Sequence, residues 1–244
     1  FLVKKDKNQM STIDKTTTKK KEDALVRDGA SVMVGGFGVP GTPFILIDTL
    51  LEQKPSNLTL IKNEANEDGM GISKLIEAGM CKKLITSHLG LNSTVIGMMN
   101  DKKIEVEFHP QGILAEKIRA CGAGLAGILT DIGIDTIISE GKSKVKINGK
   151  TVMVEEAISA DVALIHAAKA DRMGNLVYEK TARNFNPLMA SAASTVIVET
   201  EEIVETGTLS PDEIHTPAAF VDHIVVIDNL TDEYGVLQSH VIQD

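Results

Sequence analysis

The nine residues Gly35-Gly36-Phe37-Gly38-Val39-Pro40-Gly41-Thr42-Pro43 carry the densest chemical signal in the chain. They lie between the apolar run Ala30 to Val34 and the helix-like stretch Phe44 to Leu51. Within them, Gly36-x-Gly38-x-x-Gly41 has the spacing of a dinucleotide-binding loop. There, glycines let the backbone approach a phosphate, and the next helix N-terminus supplies partial positive charge. A ribose-binding acid belongs about 20 residues further on, and Glu64 stands there, just after the strand-like Leu58 to Asn63. Two prolines argue the other way. Pro40 removes a backbone donor from what would be the first helical turn facing a pyrophosphate. Pro43 suits the first helical position with Thr42 as N-cap, so the helix is predicted to begin after the last glycine. No Gly-Lys-Ser/Thr follows, which excludes a P-loop. Four glycines, two prolines and an exposed Phe37 in nine residues are more than a connector requires.

Other reactive side chains show no competing constellation. His88, His109, His166, His215, His223 and His240 lack metal-ligand spacing, and no G-x-S-x-G elbow accompanies them, so packing or surface roles are expected. Cys81 and Cys121 are far apart and form no C-x-x-C pair; they read as small apolar fillers in a reducing, cytoplasmic setting.

The elements that must hold the glycine loop are legible as alternating apolar runs and helical stretches. Strand-like runs are Ser31 to Gly36, Leu58 to Asn63, Lys83 to Gly90, Ile104 to Pro110, Val162 to Ala170, Ser194 to Glu199 and His223 to Asp228. Helix candidates include Gly71 to Met80 and Ile113 to Gly122. Short, nearly continuous Val/Ile/Leu runs mark strands buried on both faces. The expected fold class is therefore α/β, a mostly parallel sheet covered by helices. One departure is Lys144 to Glu156, which alternates on both sides of Asn148-Gly149 and predicts an inserted β-hairpin.

Composition narrows the function classes. The chain has 244 residues, a formal net charge of -9 and a mean hydropathy of +0.03. That charge argues against nucleic acid as a partner while allowing one local anion pocket. No apolar run approaches the roughly 18 residues of a membrane helix. Residues 1–22 read as a polar extension, either a disordered native segment or one with its natural start at Met10 and foreign residues ahead of it, and residues 23–244 as one domain.

The stretch Asp28 to Pro43 resembles the first signature of the family I coenzyme A transferases: Asp/Asn-Gly, two residues, three apolar residues, Gly-Gly-Phe, three residues, Gly-x-Pro. The resemblance continues through Thr86 to Gly90, Pro110 to Gly127, Lys169 to Ala190 and Glu205 to Ile224, and it is to the alpha (A) subunit of the two-chain enzymes. It implies transfer of CoA between an acyl-CoA and a short-chain carboxylic acid, such as acetate, acetoacetate or butyrate. The chemistry implied is ping-pong through a glutamyl-CoA thioester, with no metal and no tightly bound cofactor; CoA itself is a substrate. The nucleophilic glutamate is expected on a beta (B) partner, in a Ser-Glu-Asn-Gly segment that this chain lacks, in an α2β2 assembly inactive without that partner.

The resemblance further assigns Gly35, Gly36, Phe37, Gly38, Val39, Pro40 and Gly41 to CoA binding, Gln111 to an oxyanion-stabilising hydrogen bond and Asn63 to the site. Gln111 follows a strand between Pro110 and Gly112, and a neutral amide can stabilise negative charge without neutralising a nearby carboxylate. Glu64 stands where the family carries Asn or Asp; it reads as a solvated acid or a residue lining the site. Arg183 is expected to pair with an acid or cap a helix, and Gly122, Gly124 and Gly127 to allow tight packing. Two alternatives carry different expectations. A sugar-phosphate sensor of similar fold calls for an attached helix-turn-helix, and an NAD-dependent oxidoreductase rests on G-x-G-x-x-G alone.

Overall fold

The seven apolar runs become strands of a single sheet in the computed structural model, which describes residues 13–18 and 26–235. They are β2 (Ser31–Val34), β3 (Leu58–Ile61), β4 (Cys81–Thr86), β5 (Glu105–Phe108), β9 (Ala160–Asp171), β11 (Ala193–Val204) and β12 (His223–Val226). A short strand near the N-terminus, β1 (Thr16–Thr17), joins them at one edge. The sheet order is β1-β12-β11-β9-β2-β3-β4-β5, with every neighbouring pair parallel. The short β10 (Leu176–Val177) pairs antiparallel to β9. From β2 the order runs one way through β3, β4 and β5; from β9 it runs the other way through β11 and β12. The β2/β9 boundary is thus a topological switch point, where open α/β sheets leave a crevice at the carboxyl ends of their strands.

The near-continuous hydrophobicity of these strands is explained by burial on two faces. Val32, Val34, Leu58, Leu60, Val162, Leu164 and Ile197 pack on one side, under α1 (Phe44–Gln53), α2 (Ile72–Glu77) and α3 (Ser93–Asn100). The alternate residues Met33, Ile61, Ala163, Ile165, Val196 and Val198 pack on the other, under α4 (Gln111–Gly122) and α5 (Asn186–Ala192). The two-residue period of a strand divides each run between the two cores. Buried Cys81 belongs to the first, and burial pushes its thiol up to about 12, as befits a filler.

The Asn148-Gly149 hairpin is present as β7 (Lys144–Ile147) and β8 (Lys150–Glu156), with both turn residues at positive φ, 50° and 79°. A third strand, β6 (Gly127–Thr130), joins β8 and makes a separate three-stranded sheet. Gly127 is required there: a Cβ would lie 2.4 Å from the Glu155 carbonyl oxygen. Gly122 lets α4 meet α5 at Ser191, where a Cβ would stand 2.0 Å from the hydroxyl oxygen. Gly124, at φ +72°, faces open space.

One expectation needs correction at the N-terminus. Part of the polar segment 1–22 belongs to the sheet: β1 pairs with β12, and Lys15 Nζ donates to the carbonyls of Ala218 (2.7 Å) and Val221 (2.6 Å). Edge pairing needs no apolar alternation, so composition concealed it. The remainder of that segment, together with Met10, lies outside the described residues. Among the described residues, no helix is long and apolar enough to cross a membrane.

Candidate active site

The parallel order places Gly35, Asn63 and Gln111, the residues singled out in sequence, in one row along the carboxyl edge, with Ser87 added to them by the fold. Gly35 follows β2, Asn63 follows β3, Ser87 follows β4 and Gln111 comes after β5. Three strand spacings of about 4.8 Å put roughly 14 Å between the first and last positions.

At one end of the row, the loop Gly35 to Gly41 is built by tying its carbonyls inward. Lys62 Nζ donates to the Gly35 carbonyl (2.7 Å), and the Gly38 carbonyl accepts from the Thr42 hydroxyl (2.6 Å) and Asn66 Nδ2 (3.0 Å). The Pro40 carbonyl accepts from the Phe37 N–H (3.1 Å) and Asn184 Nδ2 (2.9 Å); the Gly41 carbonyl accepts from Asn186 Nδ2 (3.0 Å). The amides of Gly36, Gly38, Val39 and Gly41 find no acceptor among the described residues. A run of spare N–H groups in a glycine turn is a nest for an anionic or carbonyl oxygen. Gly36, Gly38 and Gly41 have φ of 91°, 60° and 74°, which only glycine adopts freely. Phe37 is exposed and sits with its ring 6.5 Å from that of Phe185.

The helix after the loop begins differently from the sequence-based expectation. Pro43, not Thr42, is the N-cap of α1, and Pro43 offers no side-chain cap. The Thr42 hydroxyl is already engaged by Gly38 and by Lys62 Nζ (3.0 Å). The cap comes from across the sheet, where Glu199 Oε2 accepts the Leu46 N–H at 2.9 Å. A buried carboxylate therefore occupies the helix N-terminus at which a dinucleotide pyrophosphate would bind.

In the middle of the row, Asn63 is completely buried, and both polar atoms of its side chain lack a partner among the described residues. A buried amide left unsatisfied costs about 1–3 kcal/mol, so its persistence beside the crevice points to a ligand as its missing partner. Glu64 is also buried, not solvated as one reading of the loop expects. One oxygen faces Gly38, 3.3 Å from where a Cβ would be, and the other lies 3.4 Å from His88 Nε2. The loop folds back over β3, and this closes Glu64 off.

At the far end, Pro110 caps α4 and Gln111 is its first residue, half-buried. The Ser87 hydroxyl lies 2.5 Å from Gln111 Oε1 and 2.5 Å from the Asn63 carbonyl. That carbonyl already accepts the Ser87 N–H (3.0 Å), so the single hydroxyl proton can serve Gln111. With its oxygen anchored, Gln111 keeps its NH2 donors for something else. Arg183, by contrast, is exposed on the turn Lys180–Arg183 that abuts Gly41 through the Ala182 carbonyl.

Behind the loop lies a charged cluster that no local sequence pattern announces. His166 Nδ1 is 2.9 Å from Glu199 Oε1 and its Nε2 is 3.0 Å from Glu201 Oε1; Tyr234 packs 5.3 Å from the imidazole and donates to the Thr42 carbonyl. Burial opposes charge on His166, but the two carboxylates outweigh it and hold its pKa up, to about 9, while burial pushes the Glu199 carboxyl up. A raised histidine stabilises the fold fully below its ordinary 6.5, and that contribution is lost as pH rises through about 9. Buried Lys62 acts oppositely: burial lowers its pKa from 10.5 to about 7, so its own contribution to stability rises with pH over that span. The histidine effect is isolated by difference. The stability advantage of the wild type over His166→Gln, measured by urea unfolding, should be largest below pH 6.5 and shrink toward pH 9; an advantage independent of pH would mean the imidazole is not charged.

The chain is similar to known proteins in sequence and in fold. The coenzyme A transferase family profile matches residues 16–226. The alpha subunit of acetate CoA-transferase from Escherichia coli (strain K12) is 48% identical over 200 residues, 82% of this chain and 91% of that protein. The A-type subunit of a succinyl-CoA:3-ketoacid coenzyme A transferase from Xanthomonas campestris pv. campestris (strain B100) is 44% identical over 219 residues, 90% of each chain. Among solved structures, an acyl-CoA transferase from Escherichia coli O157:H7 in a thioester complex with CoA superposes with a TM-score of 0.82 at 24% identity. That superposition covers 92% of this chain and 49% of the other, a likeness of fold.

Proposed function

This chain belongs to the coenzyme A transferase family, as a subunit of the alpha type, and we propose how its half of the reaction is built. The glycine loop receives CoA through its spare amides, and Asn63 and Gln111 receive the thioester oxygen further along the strand ends. The observation that carries this reading is the row itself: amides at one end and a buried Asn63 in the middle that have no partner among the described residues, and an anchored Gln111 at the other end. A row spanning roughly 14 Å suits an extended ligand rather than a compact one.

The nucleophile is a glutamate of a beta partner in an α2β2 enzyme of the cytoplasm. Its carboxylate oxygen adds to the acyl-CoA carbonyl carbon, the C–S bond breaks, and CoA leaves as thiolate with an acyl-glutamyl anhydride behind. The thiolate then attacks the glutamyl carbonyl, which releases the first acid as its carboxylate and leaves a glutamyl-CoA thioester. A second acid reverses the sequence. Each addition places negative charge on the former carbonyl oxygen, and an amide N–H aimed there stabilises the transition state without proton transfer. Short-chain acids of the acetate, acetoacetate and butyrate class are the exchange partners. The oxidoreductase alternative is disfavoured by Glu199 at the α1 N-terminus.

The test is to purify the chain from its native source, identify any stoichiometric companion by mass spectrometry, and assay CoA transfer. A companion of similar size carrying Ser-Glu-Asn-Gly, with activity only in the complex, is expected. Transfer by the chain alone would shift the nucleophile to Glu64; a chain that purifies alone and binds NADH but not CoA would overturn the reading.

A further inference from the structure

Lys62 is a charged residue at the end of an apolar strand, fully buried, and no step of the chemistry above uses it. The strand period explains its position. Leu58 and Leu60 face the α1 side and Ile61 the other, so Lys62 continues the first series and comes to lie beneath the glycine loop. There it holds both ends of the loop, Gly35 through its carbonyl at 2.7 Å and Thr42 through its hydroxyl at 3.0 Å.

We propose that Lys62 is a positioning residue that sets which way the amides of the CoA-binding loop point. In a trans peptide the C=O and the following N–H are antiparallel. Drawing the Gly35 carbonyl toward Lys62 therefore turns the Gly36 N–H away from it. The same reasoning passes through Thr42: its hydroxyl accepts from Lys62 and donates to the Gly38 carbonyl at 2.6 Å, which turns the Val39 N–H the opposite way. Gly36 and Val39 carry two of the four spare amides. Glycine peptides reorient at little steric cost, so without a donor beneath it the Gly35 carbonyl is free to rotate and take the Gly36 N–H with it. A buried ammonium is costly unless fully bonded, and this one is kept where it fixes two peptide planes. The inference rests on the reading that the loop binds CoA.

Lys62→Met keeps the length and removes the donor; it also takes the positive neighbour away from buried Glu64 and the donor from the Gly35 carbonyl, so assembly with the partner is checked first. In the assembled enzyme, KM for acyl-CoA should rise about tenfold or more, the worth of one or two well-aimed hydrogen bonds. Turnover should stay within about threefold and KM for the carboxylic acid should not move. Amide hydrogen exchange of residues 35–42 should quicken while β9 and β11 stay protected. Thr42→Val breaks the same tie from above and should shift KM in the same direction; if Lys62→Met fails to assemble, that variant decides. Unchanged KM for acyl-CoA in the variants that assemble would overturn the proposal and leave Lys62 a structural filler. Gly36→Ala separates the two levels: if it too leaves KM unchanged, the loop does not bind CoA and the reading beneath fails; if it alone raises KM, only the role of Lys62 falls.

Discussion

Replacing Gln111 by Ala should lower turnover of the assembled enzyme by about 10²-fold or more, the scale of losing one preorganised oxyanion donor. The size of the effect follows from how the side chain is held. Gln111 is the first residue of α4, preceded by Pro110, and its oxygen is anchored by the Ser87 hydroxyl at 2.5 Å. A donor fixed this way needs no reorganisation when charge develops on the substrate. On the role proposed for Gln111, a bond that strengthens as the carbonyl oxygen becomes an oxyanion, the loss should fall on kcat and on kcat/KM equally. Steady-state kinetics with the partner subunit present make the measurement. A rise in KM with kcat intact would make Gln111 a ground-state contact, and unchanged kinetics would remove it from the mechanism.

The second large effect is expected at Gly36. Its φ of 91° is foreign to side-chain-bearing residues, and an added Cβ would lie 2.2 Å from the Thr42 hydroxyl oxygen and 2.6 Å from the Thr42 nitrogen. The obstacle is backbone, so the loop itself has to move. Gly36→Ala should raise KM for acyl-CoA by about 10²-fold, as two or more amide donors lose their aim. Gly79→Ala is the control. Gly79 also has positive φ, 74°, but nothing lies within 4 Å of its missing Cβ. That variant should cost about 1 kcal/mol of stability and leave KM for acyl-CoA alone. Equal kinetic effects from the two would show general destabilisation in place of a local loop defect.

The fold class, the hairpin and the glycine loop are legible in the linear sequence, because each rests on short-range physics. Val/Ile/Leu runs identify strands that must be covered on both faces, Asn148-Gly149 supplies the two positive-φ residues of a tight turn, and Gly36, Gly38 and Gly41 permit a backbone that other residues resist. Asn63 and Gln111 are reached through a family signature, and the edge that unites them follows once the strands are known to be parallel. β1 and β6 escape such reading because edge strands of two and four residues carry little pattern. A lysine closing the run Leu58 to Lys62, in a strand otherwise buried on both faces, is a signal of its own: it must be either solvated or bonded at a built site.

What the loop's neighbours do is fixed by the three-dimensional packing. Thr42 follows Pro40 and Gly41 like an N-cap, yet Lys62 and Gly38 claim its hydroxyl, and Glu199, 153 residues from Leu46, caps the helix instead. Glu64 reads equally as a solvated acid or a residue lining the site until the fold buries it against Gly38 and His88. His166 is one residue of an apolar strand until the register of β9 on β11 sets it opposite Glu199. Each of these outcomes depends on contacts between residues remote in sequence, whose partners no local pattern specifies.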